Sequence, residues 1–255
     1  MLTTLNKKKH LEILCIIPAR AGSKGIPKKN IQLLGAHPLL TYSIAAAKTS
    51  KKINKIIVTT DSQEIADIAQ LYKAEVPFLR PAKYSDDKAI DIDYILHALK
   101  WLEENEYYTP DLVVLLRPTT PLRDATYIDS AIIELLKDKN ATSLRSSHPS
   151  SEAPFKWFYL NNKYYTTISK EYTLDDTALT RQSFPTAYVP NGYVDIINPK
   201  YLKQKDSLYG DKILGFITPV GYDIDTREEF EYVEYLLSKQ KLKILQYLKK
   251  MKEKI

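Results

Sequence analysis

Three short apolar runs, Ile13 to Pro18, Lys55 to Thr60 and Asp111 to Leu116, each give way to charged or polar residues, and stretches of helical spacing lie between them. Continuous apolar runs of strand length predict strands buried on both faces, which an open sheet allows only where helices cover it on either side. Helical patterns are expected near Leu39 to Lys48, Asp61 to Tyr72, Ala89 to Glu104 and Thr126 to Asp138. Shorter runs at Val76 to Leu79, Ala141 to Leu144, Gly192 to Ile197 and Lys212 to Thr218 are expected to extend the same sheet in parallel order. The alternation predicts an α/β fold: a Rossmann-like, mostly parallel sheet with helices on both faces. Two capping-box patterns, Asp61-Ser-Gln-Glu64 and Thr226-Arg-Glu-Glu229, mark helix starts.

The rhythm breaks between Ser146 and Pro190, where Phe155, Trp157, Phe158, Tyr159, Tyr164 and Tyr165 cluster around a turn at Asn161-Asn162. This stretch reads as an inserted arm, residues 146–190, in one α/β domain made of 11–145 and 191–255. Clustered aromatics serve either as a ligand platform or as a contact with another layer or subunit, and a dimer contact is the reading taken.

At 255 residues and 44% apolar content the chain holds one sizeable domain rather than two. The apolar run from Ile13 is shorter than a signal-peptide core, and no segment approaches the roughly 20 apolar residues that span a bilayer. Cys15 has no second cysteine to pair with, so a cytoplasmic location is expected. The formal charge of +6 comes largely from Lys7-Lys8-Lys9 and the Lys-rich tail after Ser238, and it calls for neither a nucleic-acid nor a membrane partner. The tail's Leu242, Leu245 and Leu248 fit a helix packed on its own domain. His97 fits a satisfied structural histidine, and no zinc site or serine or cysteine nucleophile is indicated.

Ligands of open α/β sheets bind beyond the carboxyl ends of the strands, so the residues after each run carry the chemistry. The first loop offers Arg20, Ser23, Lys24, Lys29 and Asn30, with Gly22 and Gly25 letting backbone amides turn toward an anion. That suits a triphosphate, although a solvated basic turn has the same composition, and neither the Walker A nor the three-glycine dinucleotide pattern is present. Asp223 and Asp225 lie two apart in an extended segment, on one face, where joint binding of magnesium is feasible; alternatively Asp225 flanks a helix cap and Asp223 is a surface residue. Arg117-Pro-Thr-Thr-Pro-Leu-Arg123 is a proline-fixed loop expected to hold two guanidinium groups near the sheet edge. Arg20, Arg80 and Arg117 either converge on one cleft or form surface ion pairs.

The stretch Ile17-Pro-Ala-Arg-Ala-Gly-Ser-Lys-Gly-Ile-Pro-Lys-Lys-Asn30 closely resembles the signature of CMP-sialic acid synthetases, the acylneuraminate cytidylyltransferases, which are related to CMP-Kdo synthetases. Leu79-Arg-Pro81, Leu116 to Arg123, Pro190-Asn-Gly192 and Asp223-Ile-Asp-Thr226 follow in the family's order. The resemblance implies a nucleotide-diphospho-sugar transferase type of fold and transfer of CMP from CTP to the anomeric hydroxyl of a nonulosonate, a sialic-acid-like 2-keto sugar acid. By the same resemblance Arg20, Lys24, Lys29 and Asp225 would be catalytic, and Arg20, Ser23, Lys24, Asn30, Arg80 and Asp91 would bind the nucleotide. Asp223 and Asp225 would hold Mg2+. Arg117, Lys156, Arg181, Asn191 and Asp195 would serve the sugar, with Lys156 and Arg181 on an arm that crosses a homodimer. Three positions depart from the family pattern: Arg117 stands where glutamine is usual, Asp91 where a small hydroxyl residue is frequent, and Asp195 where an aromatic is usual. Two other readings remain: transfer to a different carboxylated or phosphorylated acceptor, and a CTP-binding module without catalysis.

Overall fold

The computed structural model describes residues 11–23, 25–86, 89–205 and 207–253, with backbone alone for 203–205. In chain order the elements begin with β1 (Ile13–Pro18), a small hairpin of β2 (Leu33–Leu34) and β3 (His37–Pro38), α1 (Leu39–Thr49), β4 (Lys55–Thr59) and α2 (Gln63–Leu71). Then follow α3 (Asp91–Glu106), β5 (Leu112–Leu115), α4 (Ala125–Lys137), β6 (Ser143–Pro149), a second hairpin of β7 (Phe158–Asn161) and β8 (Tyr164–Thr167), and β9 (Tyr188–Ile197). The chain closes with α5 (Pro199–Lys205), β10 (Ile213–Ile217), α6 (Arg227–Lys239) and α7 (Lys243–Lys252). Among the described residues no helix is long and apolar enough to cross a membrane.

The main sheet has six strands in the order β10-β6-β9-β5-β1-β4. Alternate residues of β1 enter opposite layers: Ile13, Cys15 and Ile17 pack with α1, α4 and the C-terminal helices, and Leu14 and Ile16 pack with Ile95, Leu99 and Leu102 of α3. A strand covered on both faces has no polar side, which is why β1 reads as an unbroken apolar run. Ile244, Leu248 and Met251 of α7 are buried, and the Tyr247 hydroxyl donates to the Tyr72 carbonyl at 2.8 Å, so the Lys-rich tail packs on its own domain.

Several local expectations need correction. The strand that begins before Gly192 starts at Tyr188 and runs antiparallel between β5 and β6, not parallel. It returns from an excursion that leaves the end of β6, and a return to the same sheet end without a crossover gives an antiparallel neighbour. Its ladder with β6 continues to the pair Pro149–Tyr188, so the excursion proper occupies 150–187. The run Val76 to Leu79 is not a strand: one isolated bridge falls just before it, Ile57 with Glu75, and one at its end, Thr60 with Leu79, because Pro77 has no N–H to give to a ladder. The cap of α2 is Ser62, whose hydroxyl accepts from Ile65, and not Asp61. The capping box of Thr226 and Glu229 on α6 is present as read. The buried Nδ1 of His97 has no hydrogen-bond partner among the described residues; its ring packs edge-on to Phe78, with centroids 4.7 Å apart.

Candidate active site

The carboxyl ends of β1, β4 and β5 are neighbours in the sheet, and a cleft of about 550 Å³ opens beyond them. Its lining includes Arg20, Ser23, Lys29, Asn30, Arg80, Asp91, Arg117 and Asp225, so three guanidinium groups from three separate loops meet there. Lys24 lies outside the described residues.

The loop after β1 is fixed from several sides. Asp61 at the end of β4 accepts from the Ala21 N–H at 2.8 Å, and the Asn30 amide donates to the Arg20 carbonyl at 2.9 Å. Arg20 reaches across the cleft to donate to the Asp86 carbonyl at 2.8 Å. Gly25 lies against the Asp225 carbonyl so closely that a Cβ would overlap it, which explains a residue without a side chain there. Buried Lys29 completes the seam, donating to the Ile224 carbonyl at 2.6 Å and to the Asp225 carboxylate at 2.8 Å. The basic loop and the Asp-Ile-Asp segment therefore face each other across the cleft floor.

Asp223 and Asp225 have different settings. Asp225 lines the cleft with its side chain 71% exposed, whereas Asp223 is not among the lining residues and lies 3.5 Å from the Thr120 hydroxyl. Ile224 between them is buried, and its N–H donates to the Thr119 carbonyl. Among the described residues no group of three or more His, Cys, Asp and Glu side chains converges. One or two carboxylates beside a phosphate site are nevertheless the hard-oxygen donor set that suits magnesium, which takes further ligands from water and phosphate. The donor chemistry fits.

On the opposite wall Arg80 is buried and donates to the Thr59 carbonyl at 2.5 Å, while its guanidinium sits 4.9 Å from the Tyr94 ring centroid. Burial lowers the Arg80 pKa. Arg117 donates to Asp91 and, at 2.8 Å, to Asp195. Burial opposes its charge, but the two carboxylates outweigh burial and push its pKa up, so it is a fixed cation.

Arg123 does not share the cleft. It is fully buried, has no carboxylate partner among the described residues, and donates to the carbonyls of Tyr193, Arg117 and Gly192 and to the Ser43 hydroxyl at 2.7–3.0 Å. Burial pushes its pKa down to about 10. Its work is to tie the Arg117 loop to β9. Asn191 is buried behind the cleft and donates to the Thr218 hydroxyl at 2.8 Å, and Asp195 is 2% exposed. Lys156 and Arg181 lie on the arm, bonded to the Leu179 and Ser150 carbonyls, and do not line this chain's cleft. Sequence reasoning missed Asp61, Tyr84 and Tyr94: the tyrosines look like helix and turn residues, and Asp61 looks like a cap.

The family model described as Cytidylyltransferase matches residues 14–254. Among similar curated proteins is an N-acylneuraminate cytidylyltransferase of Escherichia coli O18:K1:H7, 34% identical over 92% of this chain and 55% of that protein, so the chain spans about half of that relative. A CMP-N,N'-diacetyllegionaminic acid synthase of Campylobacter jejuni is 34% identical over 91% of this chain and 97% of its own length. A solved CMP:2-keto-3-deoxy-manno-octonic acid synthetase complexed with CTP superposes with a TM-score of 0.67 over 89% of this chain and 99% of that one, at 14% identity, which bears on the fold alone.

Proposed function

Because the chain belongs to the cytidylyltransferase family, we propose that it transfers CMP from CTP to the anomeric hydroxyl of a nonulosonate, a sialic-acid-like 2-keto sugar acid, and releases pyrophosphate. The observation that carries this reading is the cleft in which the basic loop after β1, Asp225 and Arg80 face one another. Relatives named for N-acylneuraminate, N,N'-diacetyllegionaminate and pseudaminate support the acceptor class.

In this reading the anomeric hydroxyl attacks the α-phosphorus in line with departing pyrophosphate. The protein contributes position and charge rather than covalent chemistry. Arg20, Ser23 and Lys29, joined by Lys24, hold the triphosphate; Asn30 and Arg80 hold the nucleoside, with Asp91 beside them. Lys29 has a third N–H beyond those given to Ile224 and Asp225, and it keeps the Asp225 segment against the loop. Asp223 and Asp225 are the residues to hold Mg2+, which when bound supplies charge neutralisation on the phosphate oxygens. Asn191 sits on the acceptor side.

The reading includes a homodimer. The arm exposes Tyr159, Leu160, Tyr164 and Tyr165 by 58–68%, more apolar surface than a short excursion leaves open without a partner. Lys156 and Arg181 would then approach the neighbouring subunit's cleft. A cytoplasmic location, where CTP is made, completes the proposal.

The test is pyrophosphate release with each of the four ribonucleoside triphosphates, magnesium, and a panel of nonulosonic acids and Kdo. Release selective for CTP and one acid supports the reading and identifies an accepted substrate. Silence across the panel with CTP still bound overturns the acceptor class, in favour of an acceptor outside it or a module without catalysis.

A further inference from the structure

A second groove, of about 390 Å³, lies between α3 and the short turn Ala82–Tyr84, and its volume is that of a small-molecule site. Tyr84 lines both this groove and the cleft, so the turn borders the two. From α3 the groove takes Asp93, His97, Lys100 and Glu104, spaced by three or four residues and hence on one face, with Trp101 beside them.

Three kinds of group meet there. The rings of Tyr84 and His97 lie 5.1 Å apart, and Trp101 and His97 are only half-buried, which leaves aromatic surface open to the groove. Burial and the charges of Arg80 and Lys83 lower the His97 pKa, so near neutral pH that ring is uncharged and the cations are lysines. Lys83 stands 4.7 Å over the Tyr84 ring, and Lys100 is 75% exposed and only loosely paired with Glu104 at 3.8 Å. The carboxylates are Glu104 and Asp93; Asp93 accepts from the Ile90 N–H through one oxygen, and an ionised carboxylate has acceptor sites to spare.

We propose that this groove is a second nucleotide site, which takes the base of a nucleoside monophosphate against Trp101 and Tyr84, its ribose hydroxyls on Asp93 and Glu104, and its phosphate between Lys83 and Lys100. Aromatic faces stack on any base, carboxylates accept from ribose hydroxyls, and ammonium groups suit phosphate. A ligand with all three parts uses all three kinds of group. The turn also holds cations of the cleft: Arg80 donates to the Tyr84 carbonyl at 3.2 Å, and Arg20 to the Asp86 carbonyl at 2.8 Å. A ligand stacked on Tyr84 steadies the turn and those bonds, whereas Arg20 has to leave them to meet a triphosphate, so occupancy of the groove weakens CTP binding. That coupling rests on the CTP reading above; the site itself does not.

The test uses AMP and the chain's two tryptophans, Trp101 and Trp157. Trp157→Phe leaves Trp101 as sole reporter, and AMP is expected to quench its fluorescence to saturation. Lys83→Ala/Lys100→Ala in that background changes only exposed side chains. It is expected to weaken AMP binding by about tenfold or more while CTP affinity, measured by calorimetry without AMP, stays within about twofold. No saturable quench up to about 5 mM AMP overturns the proposal, as does a quench of equal affinity in the lysine variant. Saturating AMP is expected to raise the CTP Kd by about threefold or more with the lysines present and to leave it unchanged without them. No rise overturns the coupling through the turn, and the same rise in both proteins shows competition within the cleft and overturns the second site. A protein that binds AMP through the lysines but no CTP at all overturns the CTP reading and leaves the groove standing, which keeps the failures distinguishable.

Discussion

The cleft and the arm are built by opposite means. Cleft side chains are held by bonds between segments far apart in the chain: Lys29 to Asp225, Arg20 to Asp86, Arg117 to Asp195. Arm bonds such as Trp157 to Glu152, Thr173 to Asp176 and Lys156 to Leu179 join residues within the arm, and the arm's hairpin residues stay open to solvent. The cleft is thus organised before any ligand arrives, whereas the arm's apolar surface remains to be covered. In the cleft a substitution acts on chemistry and on folding through different residues; in the arm it acts on association.

Asp225→Asn is the sharpest way to separate chemistry from folding in the cleft. The side chain is 71% exposed and the amide oxygen can still accept from buried Lys29, so thermal stability should change little, while pyrophosphate release should fall by about 10²- to 10³-fold in kcat. Near-normal release in limiting magnesium would break the proposed division of roles. Arg123→Leu probes the other half. It removes a buried cation from three carbonyls and a hydroxyl, and unfolding in urea should show a loss of about 3 kcal/mol. A folded variant of normal stability would show that the Arg117 loop holds its place without that tie.

What was legible in the sequence divides along the same line. The central strands were readable because β1, β4 and β5 are covered on both faces, and Thr226 with Glu229 was readable because a capping box is a local pattern. Arg20, Arg80 and Arg117 could be guessed to converge since strand ends of an open sheet share one edge. The antiparallel course of β9 was hidden because an apolar run carries no direction. Asp61 and Ser62 both satisfy a cap spacing, and only the Ala21 N–H, from a loop 40 residues away, decides that Asp61 holds the loop and Ser62 caps α2. Arg123 sits among prolines in a loop and looks like a surface residue; its burial depends on β9 lying across it. Asp91, Arg117 and Asp195 each look like an isolated departure until the fold joins them.

A smaller effect tests the arm. Leu160→Ser and Tyr165→Ser truncate exposed apolar side chains, and surface changes of this kind move stability by less than about 0.5 kcal/mol. In the proposed dimer they should weaken association by about tenfold or more, measured by sedimentation equilibrium or light scattering across a dilution series. A loss of stability with no change in mass would place the arm against its own domain instead and dissolve the contrast.

The smallest effect concerns two carboxylates, one in each region, whose pKa values both lie below the ordinary range because backbone N–H groups donate to them. Glu229 accepts from the Asp225 and Thr226 N–H groups at 2.8 and 2.9 Å, and Asp176 on the arm accepts from the Thr173 N–H at 2.7 Å. A carboxyl with a depressed folded-state pKa adds stability that is present above its ordinary pKa and is lost as pH falls through the depressed value, below about pH 4. Glu229 caps the helix that carries buried Phe230 and Val233, so its bonds break only when the domain unfolds. Glu229→Gln should therefore cost only about 0.3 kcal/mol of global stability near pH 7, because water screens so exposed a carboxylate, and the difference from wild type should shrink as pH falls below about 4. Asp176 anchors a short turn inside the arm, and Asp176→Asn should leave the global pH profile unchanged. If both variants shift that profile equally, the arm unfolds with the domain and its local bonds belong to the same cooperative unit as the cleft.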